Sequence, residues 1–273
     1  MASGTRDPAV NAADILAALD ESRPFAPLTS RVPEFDEHAA YAVTAEMRAL
    51  RMARGEAPVG RKIGFTNRNI WPEYGIYQPI WGDVYDTTMR EVADGERIAA
   101  SHLPEPRIEP EIVLGLDRDV DASMSTAEVE ACIGWVAHGF EIVQSVYPGW
   151  RFKVADCIAD GGLHGALYVG PRRLLAPAER AGLATALSGL SITLSRNGEP
   201  ADTGSGSNVL DGPIQALRHL AGVLARDPGN PGLQKGELVT TGTLTRAFPI
   251  AVGERWSTRI EGYPLPGLSV EIA

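Results

Sequence analysis

The sequence predicts an α+β fold in which strands dominate the last two thirds of the chain. Two segments with helical spacing precede residue 55, whereas alternating or β-branched segments bounded by turn residues recur from residue 59 to the C-terminus. The 273 residues, 44% of them hydrophobic, are enough to bury a large core. We therefore expect one sizeable domain with an appendage, or two modest domains.

The composition excludes several classes of partner. The formal net charge is −10 and the sequence pI is about 5.0, so we expect neither nucleic acid nor an anionic membrane to bind. The two cysteines, Cys132 and Cys157, lack C-x-x-C spacing, which argues against a disulfide framework or a thiolate zinc site. The start has no apolar leader core and no stretch is long enough to span a bilayer, so a cytoplasmic protein is expected.

The first 95 residues are predicted to contain two helices, a strand and an aromatic loop. A helix over about residues 9–22 is stopped by Pro24, and a second over about residues 35–54 ends at Gly55. In both, apolar residues recur at spacings of three and four, as on the buried face of a helix.

Lys62 lies in the first predicted strand, Val59 to Thr66, between Gly60 and Gly64 on the same face. The missing side chains leave room for a ligand beside the ammonium group, although glycine in a strand also marks bulges. The segment that follows, Asn67 to Thr88, is rich in Trp, Tyr, Pro and Gly and is predicted to be a long ordered loop. Such a loop serves as a lid, an interface or a cover for the edge of the core.

Two glutamates share one face of a later strand. Alternation from Arg107 to Val113 points Glu109 and Glu111 to the same side. Adjacent like charges repel, so such a face either binds a cation or is open to water. Pro110 by itself favours the second interpretation, a solvated sheet edge.

A third carboxylate lies in an apolar strand. Glu141 is flanked by apolar residues within residues 138–145, a placement that requires a hydrogen-bond partner, a raised pKa or a metal ion. Before this strand, residues 125–128 form a capping-box pattern, and Cys132 falls on the apolar stripe of the helix that follows, where we expect it to be buried.

The rest of the chain alternates strands and turns around one helix. Asp160 leads through two glycines and Leu163 to His164, just before a predicted strand, and Asn208 ends a loop of small polar residues. The remaining predictions are strands over residues 165–169 and 190–195, an Asn197-Gly198 hairpin turn, a helix over 213–226 with His219 on its polar side, and strands over 237–245, 256–261 and 268–272.

In this order, the segments resemble the fumarylacetoacetate hydrolase superfamily, and within it the branch of 2-keto-4-pentenoate hydratases and 4-oxalocrotonate decarboxylases. The resemblance runs from about Tyr41 to the C-terminus. It is carried by residues 61–66, 107–112, Glu141, 158–160, 208–210 and 240–245.

The resemblance implies a mixed β-roll catalytic domain over residues 96–273, preceded by the helical region of residues 1–95. It also implies a divalent cation, Mg²⁺ or Mn²⁺, held by Glu109, Glu111 and Glu141. Three oxygen ligands suit such a hard cation, whereas zinc or copper would favour His or Cys. By the same resemblance, Lys62 is a catalytic residue beside the substrate, acting as a cation or, if its pKa is depressed, as a proton carrier.

The implied activity is that of a hydratase-type lyase that adds water to a 2-hydroxydienoate or 2-oxo-4-enoate acid through an enolate, in the catabolism of an aromatic compound. The predicted substrate-binding residues are Gly64, Asp160, Asn208 and Thr243. C–C hydrolysis of an acylpyruvate, decarboxylation of a 2-oxo acid and non-catalytic binding of a 2-oxo acid remain alternatives. The family also implies a homo-oligomer, a dimer or higher.

Two departures from the family pattern affect the expected pocket. Gln78-Pro79 is followed by Ile80, where the hydratases have an aspartate, and the Asn-Ala-Ser that they tend to have after Ile-Ala-Asp is replaced by two glycines and Leu163. We predict that His164 is catalytic and replaces the lost polar group, although a core or surface histidine is an alternative. Asp83 and Asp86 are further candidates for that replacement.

Overall fold

The computed structural model describes residues 7–68, 71–227 and 229–273. The helices are α1 (Pro8–Asp20), α2 (Glu37–Ala53), α3 (Trp71–Tyr74), α4 (Thr126–Ala131), α5 (Val154–Ala159), α6 (Leu183–Ser188) and α7 (Pro213–Leu224). The strands are β1 (Pro58–Gly64), β2 (Ile80–Tyr85), β3 (Met89–Glu91), β4 (Glu96–Ile98), β5 (Arg107–Leu116), β6 (Ile133–Val143), β7 (His164–Val169), β8 (Arg173–Leu174), β9 (Ser191–Arg196), β10 (Glu199–Ser205), β11 (Leu238–Thr243), β12 (Phe248–Pro249), β13 (Arg255–Glu261) and β14 (Ser269–Ile272).

The N-terminal helices support the loop that leads to β7. Asp7 caps α1 and Asp36 caps α2, because each carboxylate accepts a backbone N–H of the first helical turn. Helix α2 packs against α1 and α5, and the hydroxyl of Thr44 donates to the carbonyl of Ile158 at 2.8 Å. This contact fixes the end of α5, from which residues 160–163 run into β7.

The larger sheet is strongly curled. Its order is β2-β1-β11-β5-β6-β7-β3, with β12 paired to β5 and β8 to β6. In a flat sheet, β1 and β6 would lie about 14 Å apart, three strand spacings. Lys62 on β1 nevertheless forms an ion pair with Glu141 on β6 at 3.1 Å. The sheet therefore folds back on itself, and its concave face can bring together residues from distant strands.

A smaller sheet packs against one part of the larger sheet. Its order is β10-β9-β13-β14-β4. Between the two sheets, Ile108 and Phe140 from the larger one join Leu194, Trp256 and Val270 from the smaller one in a buried apolar cluster. A second and larger core lies between the larger sheet and the helices. The observed architecture confirms the predicted α+β fold with a mixed β-roll and a small helical region at the N-terminus.

The aromatic segment after β1 is not wholly a loop, contrary to the sequence prediction. Residues 80–85 form β2, which is buried along its entire length, and α3 precedes it. The strand was not evident in the sequence because Gly82 and the charged Asp83 interrupt its apolar run. Residues 69 and 70 of this segment lie outside the described ranges.

Pro110 does not mark a sheet edge, because β5 lies between β11 and β6. The carbonyl of Pro110 accepts the N–H of Leu244 at 2.9 Å, so the N–H that proline lacks would face β11. There the register shifts between Thr240 and Thr243, and the ladder needs no donor at that point. The interpretation of a solvated strand is therefore wrong.

The predicted division between residues 95 and 96 stays a prediction. Strands β1, β2 and β3 precede this point, yet they pair in the same sheet as β5, β6 and β7. Both cysteines are free and buried, and the burial of Cys132 agrees with the sequence prediction. Among the described residues, no helix is long and apolar enough to cross a membrane.

Candidate active site

Three carboxylates meet on the concave face of the larger sheet. Glu109 and Glu111 project from β5 and Glu141 from β6, and oxygen atoms from all three lie within 4.8 Å of one another. Glu109 and Glu141 are direct partners in the register of the two strands. Like charges placed directly opposite each other destabilise a sheet, so this arrangement requires positive charge nearby.

Glu111 is fully buried, and only one of its oxygens is satisfied. Its Oε2 accepts the hydroxyl of Thr240 and the backbone N–H of Gly242, the latter at 2.7 Å, whereas Oε1 has no hydrogen-bond partner in the described structure. Burial raises the pKa of Glu111 well above its usual value, and the negative charges of Glu141 and Glu109 raise it further. A buried oxygen without a partner is costly, and a bound cation would remove that cost.

Lys62 supplies positive charge to the cluster. Its Nζ lies 3.1 Å from Oε2 of Glu141 and donates to the carbonyl of Gly162 at 2.9 Å. Burial by itself lowers the pKa of Lys62, but the charges of Glu141 and the other two glutamates outweigh burial, and the net shift is upward. With no cation bound, this shift favours the charged ammonium form of Lys62, and its catalytic role stays a prediction.

The pKa values of Glu141 and Glu109 are shifted in opposite directions although the two residues face each other. Burial tends to raise the pKa of Glu141, but Lys62 and His164 more than offset it and hold it at about 2. For Glu109, burial dominates and raises the pKa to about 7, against the opposing effect of Lys62. Without a further cation, the cluster thus retains protons at neutral pH.

The donor set fits a divalent cation. Three ionised carboxylates and one ammonium group sum to −2, so one divalent ion would bring the buried cluster to neutrality. Oxygen donors of this kind suit Mg²⁺ or Mn²⁺, as the sequence predicts. The unpartnered Oε1 of Glu111 is a further observation in favour of this fit.

The loop between α5 and β7 brings backbone groups to Lys62. Gly161, Gly162 and Leu163 all have positive φ, at 84°, 78° and 63°, and the carboxylate of Asp160 accepts the N–H of Leu163 at 2.9 Å. A Cβ on Gly162 would lie 2.9 Å from Cδ of Lys62. Glycine is needed there both for the backbone conformation and for the space that the lysine occupies.

His164 lies at the start of β7 with both ring nitrogens in contact. Nδ1 lies 2.8 Å from Oε1 of Glu141, and Nε2 lies 2.9 Å from Oγ1 of Thr88. Its side chain is only 4% exposed. Glu141 therefore contacts Lys62 through one oxygen and His164 through the other.

A protein-family model, described as the fumarylacetoacetate hydrolase C-terminal family, matches residues 87–265. The chain belongs to the fumarylacetoacetate hydrolase family. The match covers β5, β6 and β7 and thus all three carboxylates and His164. It confirms the family resemblance seen in the sequence.

Relatives of known activity share most of the chain's length. It is 35% identical to a 2-hydroxyhexa-2,4-dienoate hydratase from Comamonas testosteroni, over 90% of both proteins. It is 32% identical to a 2-keto-4-pentenoate hydratase from Paraburkholderia xenovorans strain LB400, over 92% of this chain and 90% of that protein. A 4-oxalocrotonate decarboxylase from Pseudomonas putida G7, solved with magnesium and adipate, superposes with a TM-score of 0.88 and 27% identity over 97% of both chains.

Asn208 and Thr243, which are predicted to bind substrate, form no hydrogen bond with the three carboxylates in the described structure. Asn208 is exposed, donates to the carbonyl of Leu244 at 2.9 Å and, with Thr66, lines a polar cavity of about 190 Å³. A Cβ on Gly242 would lie 2.0 Å from Oγ1 of Thr66, which places this cavity next to the backbone that binds Glu111. Thr243 donates its hydroxyl to the carbonyl of Thr245 at 3.0 Å. Their roles in binding substrate stay predictions.

The glycines beside Lys62 do not leave open space. A Cβ on Gly60 would lie 2.0 Å from the carbonyl oxygen of Leu238, and one on Gly64 would lie 3.0 Å from Cγ1 of Ile80. Gly60 therefore permits close packing of β1 on β11. Ile80 contributes an apolar surface over Gly64. A direct role for Gly64 in substrate binding stays a prediction.

The two alternative carboxylates do not reach the site. Asp83 pairs with Arg48 at 2.8 Å and Arg61 at 3.0 Å. Because Arg61 and Lys62 are adjacent in β1, they point to opposite faces of the sheet. Asp86 accepts the backbone N–H of Ala57 at 2.9 Å. Asp160 is buried near Lys62, and its Oδ2 has no partner among the described residues, which keeps its predicted role in substrate binding open.

Four residues that support the site were not predicted from the sequence. Thr240 and Gly242 bind Glu111, Gly162 accepts from Lys62, and Thr88 contacts His164. Residues 240–245 carried the family resemblance, but a role was predicted only for Thr243, although Gly242 was a usable signal. Thr88 gave no signal, because its contact joins residues 76 positions apart.

Proposed function

We propose that this protein is a divalent-metal-dependent hydratase that adds water to a 2-hydroxydienoate or 2-oxo-4-enoate acid. The observation that carries the proposal is the buried cluster of three carboxylates and one ammonium group. When all four groups are ionised, their net negative charge is the one that a single divalent cation would neutralise. The hydratase relatives, at 32 to 35% identity over about nine tenths of their length, support water addition as the reaction. The protein is an enzyme, since these relatives are hydratases.

Glu109, Glu111 and Glu141 would hold the cation, Mg²⁺ or Mn²⁺. When bound, it supplies a Lewis acid that polarises the 2-oxo group and stabilises negative charge on that oxygen. The structure with magnesium of the similar 4-oxalocrotonate decarboxylase supports this choice of ion. Thr240 and Gly242 keep Glu111 in place from the side opposite its unpartnered oxygen.

Lys62 would orient the substrate as a hydrogen-bond donor and cation. An ammonium group has three N–H donors, and contacts with Gly162 and Glu141 use two of them. The third is available to a substrate oxygen beside the carboxylates. Because this cation is buried, its attraction for an anionic substrate is stronger than that of an exposed lysine. Ile80 adds an apolar surface beside this position, which favours the hydrocarbon part of a dienoate.

The direct test is turnover of 2-hydroxypenta-2,4-dienoate with Mg²⁺ or Mn²⁺. We expect the absorbance of the dienol to disappear, with formation of a hydrated 2-oxo acid, and chelation of the metal to stop the reaction. Glu109→Gln should abolish turnover, whereas Glu199→Gln, which removes an exposed carboxylate, serves as the matched control. Absence of turnover across a panel of 2-hydroxydienoates of different chain lengths would contradict the hydratase assignment.

Decarboxylation of a 2-oxo acid is the second candidate, because the 4-oxalocrotonate decarboxylase superposes over nearly the whole chain. The two reactions share the need for negative charge to develop on the 2-oxo oxygen. Product analysis separates them, since decarboxylation of 4-oxalocrotonate releases carbon dioxide and hydration does not. Release of carbon dioxide without hydration of any dienoate would favour this candidate.

We further propose that the enzyme is a cytoplasmic homo-oligomer, a dimer or higher. Two free, buried cysteines agree with a reducing compartment. Tyr77, 81% exposed, and Leu174, 74% exposed, are large apolar side chains on the surface that subunit contact would cover. Size-exclusion chromatography with light scattering tests the assembly, and a monomer at micromolar concentration would contradict it. Cell fractionation tests the compartment.

A further inference from the structure

His164 makes two hydrogen-bonding contacts that leave its ring little freedom. A carboxylate oxygen accepts only, so Nδ1 donates to Oε1 of Glu141 at 2.8 Å. On the other side of the ring, Nε2 and the hydroxyl of Thr88 are 2.9 Å apart. With both nitrogens engaged and the side chain 4% exposed, the ring has no free polar atom to offer to a substrate.

We propose that His164 is a positioning residue that orients Glu141 for cation binding, and that Thr88 fixes the ring for this task. The proposal rests on the cation site of the proposed function, but it assigns His164 a different role from the catalytic one expected from the sequence. A histidine that links a carboxylate ligand to a fixed partner limits the rotation of that ligand. Partners of this kind typically affect metal affinity by about 10- to 100-fold.

Thr88 is itself held by the strand that carries His164. Its carbonyl accepts the N–H of Leu167 at 2.8 Å, and the next residue, Met89, pairs with Leu167 in the sheet. Its Oγ1 also accepts the N–H of Tyr85 at 3.2 Å. The hydroxyl therefore has a defined position relative to β7, and the imidazole lies between two fixed groups.

Lys62 cannot replace this support. It contacts the other oxygen of Glu141, at 3.1 Å, and it is also held by the carbonyl of Gly162. A single contact at Oε2 would leave the carboxylate free to rotate about its last bond. The contact of His164 with Oε1 adds the second point that fixes the plane of the group.

Two substitutions separate the contacts of the ring. In asparagine, the amide nitrogen is as many bonds from Cα as Nδ1 of histidine, so His164→Asn can keep the donor to Glu141. In glutamine, the nitrogen corresponds to Nε2, so His164→Gln can keep the contact with Thr88 and loses the donor to Glu141. Thr88→Val removes the hydroxyl at nearly constant shape, and Thr88→Ser restores it.

The experiment measures Mn²⁺ affinity by calorimetry in the absence of substrate, together with the melting temperature, kcat and KM of each variant. We expect His164→Gln to weaken the Kd for Mn²⁺ by about 10- to 100-fold and His164→Asn by less than about tenfold. Thr88→Val should weaken binding and Thr88→Ser should not. Because asparagine keeps the donor, kcat should stay within about tenfold of wild type in His164→Asn at saturating metal.

Several outcomes would overturn the proposal. Equal Mn²⁺ affinity in wild type and His164→Gln would show that the ring does not orient Glu141. Normal affinity in His164→Asn with kcat lost by orders of magnitude would make His164 a proton carrier instead. Parallel losses of affinity and melting temperature in both variants would indicate a purely structural histidine. A wild-type protein without Mn²⁺ affinity would refute the proposed function itself, together with this inference.

Discussion

The carboxylates of the candidate site differ in ionisation and in hydrogen bonding, because the oxygens of each one have different partners. Glu141 has both oxygens in contact with Lys62 and His164, which holds its pKa at about 2. Glu111 has one oxygen bound by Thr240 and Gly242 and the other buried without a partner. Ionisation of Glu141 is thus favoured before a cation binds, whereas Glu111 is held in a fixed orientation.

Gly162 gives the sharpest prediction for a single residue. In Gly162→Ala, the new Cβ would lie 2.9 Å from Cδ of Lys62, and the backbone would keep φ near 78°. In Gly161→Ala, φ is 84° but nothing lies within 4 Å of the new Cβ. We expect each substitution to cost about 1–2 kcal/mol of unfolding free energy for the left-handed backbone. Gly162→Ala alone should also displace the ammonium group.

Urea unfolding and steady-state kinetics of the two variants check this. We expect kcat/KM to fall by at least about tenfold in Gly162→Ala, as expected when a group in the site moves by a fraction of an ångström. Gly161→Ala should stay near wild type in kcat/KM at a similar loss of stability. Equal kinetic effects in both variants would mean that the position of Lys62 does not depend on the space at Gly162.

At the scale of elements, the pairing of β5 with β6 places the site. Alternation in the sequence is enough to predict that Glu109 and Glu111 share a face, because that depends on one strand only. The sequence does not reveal that Glu109 faces Glu141, since the register between two strands is set by turns and by packing on both faces. Strand β2 is hard to predict for a different reason: burial of both faces removes the alternation that identifies a strand, and Gly82 and Asp83 also interrupt its apolar run.

His138 connects these elements to the smaller sheet. It lies on β6, its Nδ1 donates to the carbonyl of Glu111 on β5 at 2.9 Å, and its Nε2 lies 2.8 Å from the hydroxyl of Thr258 on β13. Because Nδ1 carries the proton, Nε2 of the neutral ring accepts from Thr258. Burial lowers the pKa of His138 to about 4, and the bond to the carbonyl of Glu111 opposes this only in part.

The lowered pKa of His138 predicts that the free energy of unfolding depends on pH. Between about pH 6.5, the unfolded pKa, and about pH 4, the unfolded state binds one proton more than the folded state. Stability should therefore fall as the pH is lowered through this window, by about 3 kcal/mol in total. Unfolding free energies of wild type and His138→Gln, measured with a chelator from pH 4 to 8, check it. The slope in this window should be smaller in the variant, and identical slopes would contradict a neutral buried His138.

At the scale of the whole molecule, the curl of the sheet creates the site. Lys62 on β1 and Glu141 on β6 are separated by two strands in the sheet order, yet they form an ion pair. The family resemblance, carried by the order of the segments, was sufficient to predict the fold class and the proximity of the three carboxylates. The curl, the buried position of Ile80 over Gly64 and the contact of His164 with Thr88 were not predictable, because they arise from packing between segments far apart in the chain.

The excess negative charge of the three ionised glutamates over Lys62 predicts that cation binding stabilises the entire protein. A ligand that binds only the folded state at 100 times its Kd adds about 2.7 kcal/mol, which for a chain of this size raises the melting temperature by about 5–10 °C. In Glu111→Gln, a neutral amide replaces a buried carboxyl whose ionisation is disfavoured by burial and by the negative charges of Glu141 and Glu109. We expect the metal-free variant to be at least as stable as metal-free wild type, yet to gain little from Mg²⁺ or Mn²⁺. Thermal melts with chelator and with saturating metal, with Glu199→Gln as the control, test both parts. The two measurements are needed together. If Glu111 served only to stabilise the fold, Glu111→Gln would lower the metal-free melting temperature and leave the increase caused by metal unchanged.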